Sequence, residues 1–384
     1  MVAAVVLVFA GAVGIGARVA GHGPEAQLAT STVPTTPVAP PVVEGDEAAQ
    51  PVAGGIEAPP GSSPETIAPA TTTTAPVVTT VAPRAAAAAV TPSTTRAKRT
   101  PPPKAPNTTT PAGRAGVFGG LGTWADVYDW APSYVKNGGS PTLAPDTATA
   151  AMAAQGVQTL FIQAARADNP AGGDLVDPGV LAEWVRGANS HGIRVVTWYL
   201  PTFEDVDGDL RRAVAAASLS GVAGFALDIE STKVKDPDTR SARLVDLATR
   251  LRAALPNTAI SACTLPNVVT DVINTNYWPR FPWHQIAPFF DVWQPMDYWT
   301  NRADGNEYRD ANRYTSENID RMRAQLGMPN AVVSPVGGIA NKVTPADIAG
   351  FLAACQPRAC IGGSLYDWAT QQPDSYAPMR QFRR

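Results

Sequence analysis

From residue 116 to the C-terminus, eight short apolar runs recur, and segments of helical period follow all but the fifth, which leads into a longer irregular connection. The runs are Gly116 to Trp124, Val157 to Ala164, Ile193 to Leu200, Ala223 to Glu230, Thr258 to Leu265, Phe290 to Tyr298, Ala331 to Val336 and Cys360 to Trp368. Helical patterns occupy Pro145 to Gln155, Pro178 to His191, Asp209 to Ser220, Pro237 to Leu255, Thr315 to Leu326, Pro345 to Cys355 and Pro373 to Phe382. Each opens on Pro, Asp or Thr, which suit a helix start, and Gly156, Gly192 and Gly327 stand where a left-handed C-terminal cap is wanted. Strands alternating with helices predict a parallel sheet covered by helices, and residues 116–384 match the length of one (β/α)8 TIM barrel. An open doubly wound sheet is the alternative, but it would show fewer strands and a phosphate-binding turn after the first.

One run stops on two carboxylates. In Gly221 to Ser231, Ala226, Asp228 and Glu230 share one face of the predicted strand, and Phe225, Leu227 and Ile229 share the other. Two acids side by side at a strand end resist ionisation, through like charge and partial desolvation, and that cost points to a use. On a barrel, the other strand ends would bring Trp124 and Asp126, Gln163 and Arg166, Trp198 and Tyr199, Thr264 and Asn267, Gln294, Asp297 and Tyr298, and Tyr366, Asp367 and Trp368 to the same rim. Aromatic faces stack on sugar rings, and carboxyl groups handle a glycosidic oxygen and the charge left behind. The bland reading of the two acids is structural, with bonds to Arg166 or a loop amide.

Ahead of residue 116 the alternation is absent. Met1 to Ala17 is an apolar run closed by Arg18, at the lower edge of what crosses a bilayer. Residues 1–20 read as a signal peptide or membrane anchor; no Lys or Arg precedes Arg18 and no clear A-x-A site follows, which favours an anchor. Residues 21–115 are rich in Pro, Thr and Ala and have no period, so they read as a disordered linker. Arg96, Lys98, Arg99 and Lys104 there read as solvated linker charges, with contact to an anionic surface polymer as the alternative. The expected location is the cell envelope or outside the cell, with membrane contact only through the N-terminal segment.

Composition narrows the chemistry. A formal net charge of -3 gives no reason to expect a nucleic-acid partner. The three histidines, His22, His191 and His284, are too scattered for a His-rich metal site or a Ser-His-Asp triad. Gly116 to Gly122 lacks the Gly-Lys-Ser/Thr of a phosphate loop. Glu204 to Asp209 resembles a calcium loop only superficially, because position twelve counted from Asp205 is Ala216; a helix N-cap accounts for it. No metal and no cofactor are therefore expected. Cys355 and Cys360 are spaced to bridge a helix end to the next strand, a disulfide that would suit an exported protein, and Cys263 reads as a buried thiol.

Leu227-Asp228-Ile229-Glu230-Ser231 resembles the Asp-x-Glu strand ending of glycoside-hydrolase barrels of the chitinase family 18 and lysozyme family 25 types. Gln294-Pro295-Met296-Asp297-Tyr298 is similar to the Met-x-Tyr strand of the chitinase type, and Gly362 to Trp368 resembles its Gly-Gly strand ending near a Trp. The departures are Ala223 and Ala226 where the chitinase pattern has acids, Trp299 where an Asp would follow the Tyr, and a last Trp displaced by one residue. Asp126 occupies roughly the place of the early Asp of the lysozyme type.

The resemblance implies a monomeric glycoside hydrolase whose partner is a polysaccharide or peptidoglycan-like glycan of a cell wall or extracellular matrix. Glu230 would be the acid, Asp228 would stabilise the forming charge, and Tyr298 and Gln294 would bond the same region. Acids two apart on a strand fit a retaining or substrate-assisted route. A catalytically inactive, glycan-binding barrel is the competing reading, prompted by the missing upstream acids.

Overall fold

The computed structural model describes residues 112–135, 140–372 and 375–383. The expected N-terminal segment, and all of the expected linker but its last four residues, lie outside the described residues. Those four form helix α1 (Ala112–Ala115), whose Arg114 pairs with Asp291 at 2.9 Å and donates to the Pro256 carbonyl. The packed chain therefore reaches further back than Gly116.

The strands are β1 (Gly120–Ala125), β2 (Thr159–Ala165), β3 (Arg194–Tyr199), β4 (Gly224–Ile229), β5 (Ala259–Thr264), β6 (Val292–Pro295), β7 (Val336–Ile339) and β8 (Gly362–Tyr366). Parallel pairing runs in chain order from β1 to β6, and β8 joins β1 to β7. Between β6 and β7 only the bridges Trp293–Val333 and Met296–Val336 are made. They complete the ring, which makes the architecture a barrel and excludes the open doubly wound sheet.

Around the ring lie α2 (Val127–Trp130), α3 (Pro145–Gln155), α4 (Pro178–Ser190), α5 (Val206–Ala217), α6 (Pro237–Ala254), α7 (Trp283–Ile286), α8 (Ala311–Leu326), α9 (Pro345–Cys355) and α10 (Tyr376–Met379). The ends of α3 and α9 fall where the pattern put them. The start of α5 is earlier because Asp205 caps it, accepting from the Gly208 N–H at 3.0 Å; the acidic run is a helix start, as expected. The seventh strand is displaced instead. Residues 331–336 lie along β6 through isolated bonds, and the regular strand begins only at Val336, because Pro335 has no N–H to give to a ladder. Cys355 and Cys360 are not joined by a disulfide; their buried thiols lie within hydrogen-bonding reach of each other.

Inside the ring the lower layer is aromatic. Trp124 stacks on Phe161 with centroids 4.4 Å apart, and Trp198 meets Trp124 edge-on at 5.9 Å. This packing needs Gly122, since a Cβ there would come within 2.8 Å of the Phe161 ring. Outside, Thr197 donates to the Ala216 carbonyl of α5 at 2.8 Å, tying the sheet to its helices.

Candidate active site

In parallel strands directly paired residues project to the same face, so the register identifies the inner set. Gln163 pairs with Trp198, Trp198 with Ala226, Ala226 with Ser261; one step nearer the mouth, Asp228 pairs with Cys263 and Cys263 with Gln294. Asp228 thus lies inside the barrel near its C-terminal end, and Glu230 follows two residues on, where β4 opens into its loop.

Both carboxyl groups are buried, at 6% and 7% exposure, and Oδ1 of Asp228 has no hydrogen-bond partner among the described residues. Loss of solvation raises both, and the two acids oppose each other's ionisation: Asp228 lies well above the usual carboxylate range through burial and the Glu230 charge, and Glu230 is pushed up to about 7 by burial. Near neutral pH the pair therefore retains protons that exposed acids would have lost. The side chains of Trp198 and Gln294 are also buried, and the Nε1 of the first and Nε2 of the second are unpartnered, as is Oδ1 of Asp228. Gln294 Oε1 is engaged, accepting from Ser261 at 2.6 Å. Buried polar atoms without partners are uncommon, and together on one inner wall they mark a place built for water or a ligand.

Across the mouth, Tyr298 lies 5.9 Å from Tyr366 between ring centroids, and Tyr366 donates to Asp126 Oδ2 at 2.9 Å. Asp126, Asp129 and Asp367 bring carboxylate oxygens within 4.8 Å of one another. This is the arrangement that could hold a cation, but burial and the neighbouring Asp126 and Asp367 push Asp129 up to about 8. A proton on Asp129 or a bound cation would each relieve that repulsion. Asp367 also accepts from the Thr370 N–H at 2.9 Å.

The remaining rim candidates separate. Arg166 forms a two-point bond to Asp168, at 2.6 and 2.8 Å, and lies over the rings of Tyr128 and Tyr134, so it braces the rim and does not neutralise Asp228 or Glu230. Gln163 accepts from the Val127 N–H at 3.2 Å, and Trp124 donates to Ser364 at 2.8 Å on the barrel floor. Tyr199, Asp297 and Trp368 are not brought to the mouth. Tyr199 donates to Asp209 of α5, Asp297 accepts from Asn318 of α8 at 2.6 Å, and Trp368 packs edge-on against Tyr376 of α10. Each has the strand parity that faces the helices or lies past the strand where parity no longer applies.

Cys263, Ser261, Asp129 and Tyr277 belong to the site region and escaped the sequence reading. Alternation back from Thr264, expected at the rim, would put Ala262 inside and Ser261 and Cys263 outside; the register reverses this, because Thr264 pairs with the outward-facing Ile229 and Cys263 with Asp228. Tyr277, whose hydroxyl donates to the Glu230 carbonyl at 3.2 Å, comes from a loop that carries no periodic signal.

No protein-family model and no curated protein matches the chain. Among solved structures it is similar to a class V chitinase from Pseudomonas fluorescens Pf-5, with 11% identity, a TM-score of 0.50 and coverage of 69% of this chain and 99% of that one. It is also similar to an endo-1,4-β-D-mannanase from Thermotoga petrophila RKU-1, with 9% identity, a TM-score of 0.49 and coverage of 65% and 88%. A family 18 chitinase from Cycas revoluta in complex with (GlcNAc)3 gives 12%, 0.46, and 68% and 98%. The first likeness shows the fold: this chain has the barrel architecture that such an enzyme uses.

Proposed function

We propose that the barrel is a glycoside hydrolase that cleaves a cell-wall or extracellular polysaccharide. The observation that carries this reading is the pair Asp228 and Glu230, both buried at the C-terminal end of β4, with Asp228 Oδ1 unpartnered among the described residues. Glu230, protonated, gives its proton to the oxygen of the departing sugar as the glycosidic bond breaks. Asp228, set deeper, bonds the group beside the anomeric carbon and stabilises the positive charge there, with Tyr298 and Gln294 completing that wall. Water then attacks the anomeric carbon and returns a proton to Glu230. The two acids stand too near on one strand for a water to be held between them on the opposite sugar face, so the reading is retention or substrate assistance.

A glycan-binding barrel without turnover is the second reading, and Ala226 favours it. Ala226 lies directly beneath Asp228 on the inner wall, where the chitinase pattern places another acid. The full chain incubated with chitin, mannan and peptidoglycan decides between them. Release of reducing ends that Glu230→Gln abolishes while binding persists supports the enzyme; binding with no release by the unaltered chain sinks it.

A further inference from the structure

On the flank formed by the β5–β6 connection and α8, with none of the strand-end acids in its lining, there is a cavity of about 500 Å3. Its volume falls in the range of small-molecule sites. One wall is aromatic, with Trp278, Phe281 and Trp283 packed in series at centroid distances of 5.0 and 4.5 Å. The other is polar and preorganised: Gln325 donates to Asp271 Oδ2 at 2.7 Å and accepts from Asn267 at 3.2 Å. Asn267 is fully buried behind this wall, and its Oδ1 has no partner. The rim includes the π-helical turn Val269–Ile273, which leaves Val272 and Ile273 exposed. Such turns are frequent at functional sites.

Charge decides the class of occupant. Of the charged groups in the lining, Arg280 is committed to Asp238 at 2.7 Å, and Asp271 already accepts from Gln325 and Thr270. An ionic ligand would find no uncommitted carboxylate or guanidinium there, and the one imidazole in the lining, His284, lies against Gly327 at the end of α8. A neutral ligand with apolar faces and a fringe of hydroxyl groups fits both walls: the faces lie on the aromatic side, and the hydroxyls meet the amides and carboxylate.

We infer that this flank cavity is a second, non-catalytic oligosaccharide site, holding a polymer chain while another stretch of it enters the mouth. The choice of a sugar as occupant rests on the glycan reading of the mouth; the cavity and its lining do not. The test is calorimetric titration of the full chain carrying Glu230→Gln, with mannotetraose and the tetrasaccharide of N-acetylglucosamine as probes. Two classes of binding are expected. Phe281→Ala removes one class and leaves the other, and Gln285→Ala, at an exposed lining position, weakens the same class several-fold without moving the melting temperature. Asp228→Asn affects only the other class. If both flank variants leave every class unchanged, or if no second class exists beside intact mouth binding, the inference is overturned and the glycosidase reading stands. Flank binding without mouth binding supports the inference and overturns that reading; binding of neither probe at either place overturns both.

Discussion

The Tyr366 hydroxyl donates to Asp126 Oδ2 at 2.9 Å, linking the end of the last strand to the loop that follows the first. The bond also sets the ring of Tyr366 beside Tyr298, the residue proposed to complete the wall around the two acids. Tyr366→Phe keeps the ring and removes the bond. The expected result is a melting temperature lowered by a few degrees, corresponding to about 1 kcal/mol, and turnover reduced about tenfold through a looser Tyr298. A melting curve together with reducing-end release checks both, and unchanged turnover would remove Tyr366 from the machinery.

Glu230→Gln keeps shape and removes the transferable proton. Turnover is expected to fall at least about a hundredfold, the lower range for a lost general acid, while affinity for an oligosaccharide stays within a few-fold. Loss of binding along with turnover would show that Glu230 holds the substrate instead of protonating it.

Acidity and stability are linked at this residue. Glu230 is pushed up to about 7 from the 4.5 of a free glutamate, so between those values the folded state holds a proton that the unfolded state has lost. Its contribution is fully present below about 4.5 and is lost as pH rises through about 7, costing on the order of 3 kcal/mol by neutral pH and above. In the Glu230→Gln variant the melting temperature measured between pH 4.5 and 8 should decline less than in the unaltered chain. Activity falls over the upper part of the same window, as the acid form disappears. Parallel melting curves for the two chains would contradict the burial of this group.

Asp297 bonds Asn318 in the layer between barrel and helices and is fully buried. Asn318→Ala leaves that carboxyl without its partner and is expected to destabilise the fold by about 1–3 kcal/mol with little change in oligosaccharide affinity. Chemical denaturation and titration of the same sample separate stability from binding, and a selective loss of affinity would return Asp297 to the site.

All three thiols are buried. Reagent added to the folded, reduced chain should label none of Cys263, Cys355 and Cys360, and denaturant should release all of them. Rapid labelling of Cys355 and Cys360 before unfolding would show that the end of α9 opens on its own.

The barrel was legible because its evidence is periodic and repeated: helix caps at Pro145 and Gly156 and the run ending at Asp228 and Glu230 each carry local signals that the packing does not overrule. The seventh strand was misplaced for a local reason as well, since the apolar run ends at Pro335 and the regular ladder starts beyond it. The site was legible only where alternation could be counted inward along a strand, as for Trp198, Asp228 and Gln294. Beyond the last strand residue the backbone turns, so the direction taken by Asp297 or Trp368 depends on which helix offers a partner, Asn318 or Tyr376, and no short-range pattern encodes that choice. Asp129 reaches the mouth from the short helix α2 and Tyr277 from the β5–β6 connection, and both positions depend on contacts distant in sequence.

The unevenly bonded ring has a mechanical consequence. Seven junctions carry ladders, whereas the eighth, between β6 and β7, is closed by two isolated bridges, so the hoop behaves as a band with a buckle. Amide protons of Trp293 and Ser334, at the buckle, should exchange with deuterium sooner than those of β4, because opening it leaves the other ladders intact. Since β6 leads directly to Tyr298, the wall proposed to face the two acids is attached to the least bonded junction of the ring, where the entrance can widen without unpicking the strand that carries Asp228.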